Sequence, residues 1–280
     1  MSGYDPRNTL ARPDLAAAEL EGLVRAERYA PTTPRICAPP AAAIRKAADP
    51  AAEQLDQLLY GEIFDVLEEA DGWAWGQARR DGYVGFVEAA GLGPEGPAPT
   101  HRVNALRAYA FSEPSIKSRP LGLYSLNALV ALWSQDGRFA QDANGGWFVE
   151  AQLAPIGEIE TDHAAIAERF LGAAYQWGGR ESLGLDCSGL VQQALYACGQ
   201  ACPRDTDQQA GLGQTIEAEA LGRGDLVFWR GHVGLMLDET RLIHANAHHM
   251  AVAIEPLAEA IERIRDAGSG EPTDYRRVGE

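Results

Sequence analysis

Asp186-Cys187-Ser188-Gly189 runs straight into Leu190, Val191, Ala194, Leu195 and Cys198, which fall at helical spacing, and Gly199 then ends the run. The apolar positions define one buried helix face, so Cys187 is predicted to stand in the first turn, with Asp186 or Ser188 near the cap. Unpaired amides and the helix dipole favour negative charge there, so the thiol pKa is expected to fall. The same amides can receive an oxyanion. The commonest fate of a free cysteine is inert burial. Against that, Cys187 precedes the apolar stripe and lies between polar neighbours. Cys198 reads as core, and Cys37 and Cys202 as chemically idle.

Two histidines follow on predicted strands. His232 begins Val233-Gly234-Leu235-Met236-Leu237, and His244 lies within Leu242-Ile243-His244-Ala245. Asp238-Glu239-Thr240 would join them as a hairpin. A three-residue loop puts both histidines on one face, diagonally close, whereas a two-residue loop puts them on opposite faces. In the first register His232 is the base toward Cys187, and His244 holds its far nitrogen and selects the tautomer. A zinc site is disfavoured. Cys187, Cys198 and Cys202 lack close paired spacing, and His248-His249 reads as a surface loop pair. No metal or other cofactor is expected.

The rest of the chain divides into segments. Pro13 to Tyr29 is predicted to be a helix, from Leu15, Leu20, Leu23 and Val24, within an N-terminal segment 1–34. Short strands separated by Asp71-Gly72 and Asp81-Gly82 turns suggest a small barrel over 35–92. A Gly- and Pro-rich linker, Gly91 to Pro99, follows. The pattern then returns: Asp136-Gly137-Arg138-Phe139 echoes Asp71-Gly72-Trp73-Ala74, and Gly145-Gly146-Trp147-Phe148-Val149 echoes Gly82 to Val87. We read this as a duplication with a second barrel at 100–155, the alternative being one larger all-β domain. Residues 160–280 mix helices and strands as one α+β domain. Predicted there are a helix over Ala164–Gly172, strands at Asp225–Trp229, His232–Leu237 and Leu242–Asn246, and a late helix over Leu257–Arg265.

The formal net charge is −16, so a phosphate backbone is repelled and nucleic acid is not an expected partner. The start of the chain shows no basic region followed by an apolar core. No run of about 18 apolar residues exists, so no membrane partner is expected and a cytoplasmic location is the default. Four cysteines are too few for a disulfide scaffold in a chain of 280 residues.

Several motifs, in this order, resemble the NlpC/P60 family of papain-like peptidases. They are Tyr175-Gln176-Trp177-Gly178-Gly179, Asp186-Cys187-Ser188-Gly189, Pro203-Arg204-Asp205-Thr206-Asp207-Gln208-Gln209, Gly224-Asp225-Leu226-Val227-Phe228, His232-Val233-Gly234 and Ile243-His244-Ala245. The upstream barrels resemble bacterial SH3 domains, a weaker signal. The resemblance implies an α+β multidomain fold: two small SH3-like β-barrels followed by a papain-like domain. It implies a Cys187-His232-His244 site in which the Tyr175 hydroxyl assists the oxyanion. Asp186 would help hold a substrate α-amine, and Ser188, Trp177, Asp205 and Thr206 would line the groove. Tyr83, in the Gly-Tyr-x-Gly turn, and Glu53, ahead of Gln57-Leu58-Leu59-Tyr60-Gly61, would contribute to the amine pocket. Trp147 replaces Tyr83 in the second copy, which leaves that copy a spacing part.

The arrangement resembles the γ-D-glutamyl-L-diamino acid endopeptidases of cell-wall recycling. It implies hydrolysis of murein peptides, L-Ala-γ-D-Glu-diamino acid, with a free N-terminal alanine. The rivals are a lytic peptidase or amidase acting on intact peptidoglycan, and a non-catalytic wall-peptide binding module. Intact Cys187, His232 and His244 argue against the last.

Overall fold

The computed structural model describes residues 4–279, so Met1–Gly3 of the N-terminal segment lie outside the described residues. The chain forms two compact units, one ending at Ile156 and the other beginning at Gly157.

The first unit starts without the helix predicted over Pro13–Tyr29. That stretch holds strand Ala16–Ala17, a short 3-10 turn Ala18–Leu20 and strand Tyr29–Ala30, the two strands pairing in parallel. The apolar residues that suggested a helical stripe serve tertiary packing instead. Leu10, Leu15 and Ala17 pack with Trp75, and the Arg12 guanidinium lies 4.0 Å over the Trp75 ring.

A seven-stranded sheet follows. Its spatial order is Gln54–Leu59, Ala41–Arg45, Val84–Glu88, Trp73–Ala78, Ile63–Ala70, Thr33–Cys37 and Leu92–Pro94. Alternating residues such as Leu58, Phe64, Ala74 and Val87 meet in its core. Ala70 pairs with Trp73 across the two-residue turn Asp71-Gly72, both with positive φ.

Strand pairings then recur in the same chain order. His101–Val103 pairs with Leu153–Pro155 as Thr33–Cys37 pairs with Leu92–Pro94. Arg107–Phe111 pairs with Pro120–Ser125 as Ala41–Arg45 pairs with Gln54–Leu59. Leu132–Asp136 pairs with Phe139–Asp142 as Ile63–Ala70 pairs with Trp73–Ala78. The sequence likeness at this last hairpin is out of step by one residue. Asp136 pairs with Phe139, so the turn is Gly137-Arg138, whereas Asp71 lies inside its turn.

Tyr60 joins the two halves of this unit. Its backbone carbonyl accepts from Leu129 N at 2.8 Å, its hydroxyl donates to Asp142, and Asn144 Nδ2 donates to that hydroxyl at 2.7 Å. Its ring stands edge-on to Tyr124 in the second core.

The second unit is built on a nine-stranded sheet. Its central strands are, in spatial order, Ala251–Pro256, Arg241–Asn246, His232–Met236 and Leu226–Trp229. Helix α1 (His163–Glu168) is capped by Asp162, which accepts from Ala165 N. Helix α2 (Cys187–Ala197) packs on the His232 and His244 strands. The predicted single buried face of α2 is corrected: every residue from Cys187 to Ala197 is buried, Gln192 and Gln193 included. Gln192 Nε2 donates to the Tyr196 hydroxyl at 3.0 Å and to Cys202 O at 3.2 Å, so the buried amide nitrogen of Gln192 is satisfied. Helix α3 (Thr206–Gln209) is short and opens with a capping box on Asp205. Helix α4 (Leu257–Asp266) buries Ala260 and Ile264 against Val227, Trp229, Met236 and Leu242. Among the described residues no helix is long and apolar enough to cross a membrane.

Candidate active site

Cys187 is the first residue of α2, as its sequence position predicts, and Asp186 is the cap, accepting from Gly189 N at 2.8 Å. Asp186 does more than cap. Its Oδ2 accepts from Gly178 N at 2.9 Å, and Arg204 donates to both of its oxygens, at 2.9 and 2.6 Å. Arg204 also donates to Ser188 Oγ at 2.7 Å. Both oxygens of Asp186 therefore carry structural bonds, and a substrate ammonium would have to displace one of them. This buried fork locks the Gly178-Gly179 turn, the helix start and the chain before α3 into one piece. It also explains why glycine stands at position 189: a Cβ there would lie 2.2 Å from the Gly179 carbonyl oxygen.

The hairpin takes the register that brings the histidines together. Leu235 pairs with Ile243 and Met236 with Leu242, and Leu237 N donates to Arg241 O, leaving the three-residue loop Asp238-Glu239-Thr240. His244 then lies opposite Gly234 and diagonal to His232 on the same face. His232 Nε2 and His244 Nδ1 are 2.8 Å apart. A Cβ at Gly234 would sit 2.3 Å from Leu242 Cδ1, so the small residue makes room for the Leu242 side chain beside His244. The Cys187 sulfur is hydrogen-bonded by the Val233 and Ser188 backbone amides, which puts it beside the residue that follows His232.

The electrostatics reverse one expectation. Burial pushes the Cys187 thiol up to about 12, and the Asp186 charge adds to this, outweighing the amides and Arg204, which pull it down. Burial also drives His232 down to about 3, helped by His244 and Arg263 and opposed by Glu255. The resting pair is thus a neutral thiol and a neutral imidazole. Tyr175 closes the short strand Ala174–Tyr175, and burial, then Cys187 and Asp186, raise its hydroxyl so that it stays protonated.

Stability carries the same signature. Unfolded, each histidine takes a proton near pH ~6.5, whereas burial delays this in the folded state for both His232 and His244. The unfolded chain binds more protons below that value, so stability is expected to fall as the pH drops from ~6.5 toward the folded value of about 3. The urea midpoint should decline between about pH 7.5 and about pH 5.5, and less steeply in His232→Gln. A midpoint flat across that interval is incompatible with neutral buried imidazoles.

Sequence reasoning missed Arg204, Glu255 and Arg263. Glu255 lies on the strand beside His244, its Oε1 2.7 Å from His244 Nε2 and paired with Arg263 of α4. Among the described residues, His244, His249 and Glu255 also bring possible metal ligands within 4.8 Å of one another. The guanidinium of Arg263 already takes Glu255, and His249 Nδ1 lies 2.9 Å from Asn246 Oδ1, so hydrogen bonding accounts for the cluster. Trp177 is 59% exposed, and Asp205 and Thr206 stand at the start of α3. Tyr83 and Glu53 belong to the first unit. There Tyr83 is in the barrel core, and exposed Glu53 pairs with Lys46 at 3.4 Å.

Comparison with known proteins gives this constellation its setting. Residues 172–266 match the NlpC/P60 family, and residues 44–92 match the bacterial dipeptidyl-peptidase Sh3 domain. The chain is 30% identical over 233 residues to a gamma-D-glutamyl-L-lysine dipeptidyl-peptidase of Bacillus cereus, covering 72% of this chain and 70% of that one. It is 27% identical over 237 residues to dipeptidyl-peptidase 6 of Lysinibacillus sphaericus, covering 74% of this chain and 86% of the relative. A crystal structure of an NlpC/P60 family protein from Bacillus cereus shares the fold, with a TM-score of 0.75 at 21% identity, over 88% of this chain and 99% of that one. A helix-start cysteine beside a paired-histidine hairpin, behind a bacterial SH3 domain, identifies the chain as a member of the NlpC/P60 family of cysteine peptidases.

Proposed function

We propose that the protein hydrolyses the bond between the γ-carboxyl of D-glutamate and a diamino acid in short murein peptides that begin with a free L-alanine. The observation that carries this reading is the alignment with the γ-D-glutamyl-L-lysine dipeptidyl-peptidase, which extends over 72% of the chain and so reaches beyond the catalytic domain. The recurring strand pairings support a second SH3-like barrel at 100–155, joined to the first through Tyr60.

Cys187 passes its proton to His232 as the sulfur attacks the γ-carbonyl. Amides at the start of α2 and the protonated Tyr175 hydroxyl stabilise the oxyanion. His232 then protonates the departing diamino-acid nitrogen, and a thioester to the L-Ala-γ-D-Glu dipeptide remains. Water, deprotonated by His232, releases the dipeptide and restores the thiol. The family resemblance assigns Asp186 to the substrate ammonium, which would meet a carboxylate already held by Arg204, and assigns Ser188, Trp177, Asp205 and Thr206 to the substrate groove. The contribution of Tyr83 and Glu53 to amine recognition is carried by the family resemblance. Tyr83→Phe and Glu53→Gln are expected to raise KM more than they lower kcat.

Recognition of a free amine is tested with L-Ala-γ-D-Glu-diaminopimelate beside its N-acetylated form. Acetylation removes the ammonium charge and is expected to lower kcat/KM by about 100-fold or more. Equal cleavage of the two, or release of peptide from intact sacculi, overturns the reading. A free-amine requirement suits peptides already trimmed from the wall, which is the basis for proposing a recycling role and a cytoplasmic location.

A further inference from the structure

His232, His244 and Glu255 lie on three adjacent antiparallel strands and form one diagonal across them. His244 pairs in register with Ala253, two residues before Glu255, and lies opposite Gly234, two residues after His232. Two contacts connect the three side chains: His232 Nε2 to His244 Nδ1 at 2.8 Å, and His244 Nε2 to Glu255 Oε1 at 2.7 Å. Arg263 reaches the same Glu255 oxygen from α4.

A histidine used as an orienter brings a difficulty that a carboxylate or an amide does not. Its two nitrogens exchange donor and acceptor roles between tautomers, so by itself it cannot specify which nitrogen of the base carries the proton. We propose that Glu255, held by Arg263, is the positioning residue that removes this ambiguity and so sets the base form of His232. An ionised carboxylate only accepts, so His244 must carry its proton on Nε2. Its Nδ1 is then an acceptor, His232 must donate through Nε2, and His232 Nδ1 is left with the lone pair that takes the Cys187 proton. When His232 becomes an imidazolium it keeps donating to His244, and the Glu255 charge stabilises it through the chain.

The electrostatics agree. Despite its partial burial, the bonds from His244 and Arg263 hold Glu255 down to about 2, so it is ionised wherever the peptidase works. Glu255 pulls both histidine pKa values up, while Arg263 pulls both down, and His249 adds to the downward pull on His244. Cys187, which the Val233 amide reaches, is a titratable group beside the His232 strand.

The proposal rests on the peptidase activity of the site and not on the identity of its substrate. The first measurement therefore needs neither substrate nor variant. Long-range proton–nitrogen NMR of the full chain labelled with 15N-histidine should show the Nε2–H tautomer for both His232 and His244. An Nδ1–H tautomer at either position overturns the proposal. The second measurement compares Glu255→Gln with Arg263→Gln in hydrolysis of L-Ala-γ-D-Glu-diaminopimelate. A glutamine at 255 can present either its oxygen or its amide, so kcat is expected to fall about 10- to 100-fold with KM little changed. The acid limb of kcat/KM should move to lower pH in Glu255→Gln and to higher pH in Arg263→Gln, because the two charges act on the histidines with opposite sign. Shifts in the same direction, or kcat within about twofold of the parent in Glu255→Gln, also overturn it. A parent protein that leaves this peptide uncut counts against the substrate reading alone. The NMR result then decides the positioning proposal, and the limbs are read from iodoacetamide labelling of Cys187.

Discussion

Cys187→Ala is expected to remove peptide hydrolysis, with kcat/KM falling by about a thousandfold or more, while the chain stays folded. The sulfur is the nucleophile assigned at the start of α2, and the substitution deletes one heavy atom from a residue that is 7% exposed. The Asp186 cap and the Arg204 fork remain intact in that variant, since neither uses the Cys187 side chain. Alanine at Cys37, Cys198 or Cys202 should leave kcat/KM unchanged. The neutral resting state adds a second readout. A thiol pushed up to about 12 should react slowly with iodoacetamide at neutral pH and faster as the pH rises. Rapid, pH-independent labelling near about pH 6 would point to a preformed thiolate–imidazolium pair and sink this account.

The features that were legible in the sequence are those set by local chemistry. A polar cap before an apolar run placed Cys187 at a helix start. The three residues Asp238-Glu239-Thr240 set the hairpin register, and that register put His232 and His244 on one face. What stayed hidden was set by partners distant in the chain. Asp186 looked like a cap or an amine ligand because nothing nearby revealed that Arg204, eighteen residues on, would take both its oxygens. Glu255 sits in Ala251–Pro256, a strand whose sequence has no motif, and it is recruited by a histidine on the neighbouring strand and an arginine on the following helix. The false helix at Pro13–Tyr29 has the same origin. Leu15 and Ala17 are apolar because Trp75 receives them, and their helical spacing is incidental. The thiol pKa erred because a helix dipole is visible in a sequence and the depth of burial is not.

The largest loss of stability is expected from separating Asp186 and Arg204. Asp186 is 6% exposed and Arg204 1%, and two direct bonds join them, so either charge left alone is buried without its counter-ion. Arg204→Met should therefore cost about 3–5 kcal/mol. Asp186→Ala should cost at least as much, because it also removes the helix cap, itself about 1 kcal/mol, and the acceptor for Gly178 N. Asp186→Asn combined with Arg204→Met removes both charges and keeps a side chain that can cap α2. Its loss should be smaller than the sum of the two single losses, and a double-mutant cycle on urea midpoints measures the difference. Activity should follow a different order. In Asp186→Asn the helix start is held and the negative charge that raises the thiol is gone, so Cys187 should label faster at a given pH than in the parent even though the protein is less stable. Additive single losses below about 1 kcal/mol each would show that the fork is dispensable. Retained stability with slower labelling would show that Asp186 acts on the thiol by some route other than its charge. The buried fork thus links two properties of the active site. It holds the nucleophile in place, and its carboxylate adds to burial in pushing the thiol up.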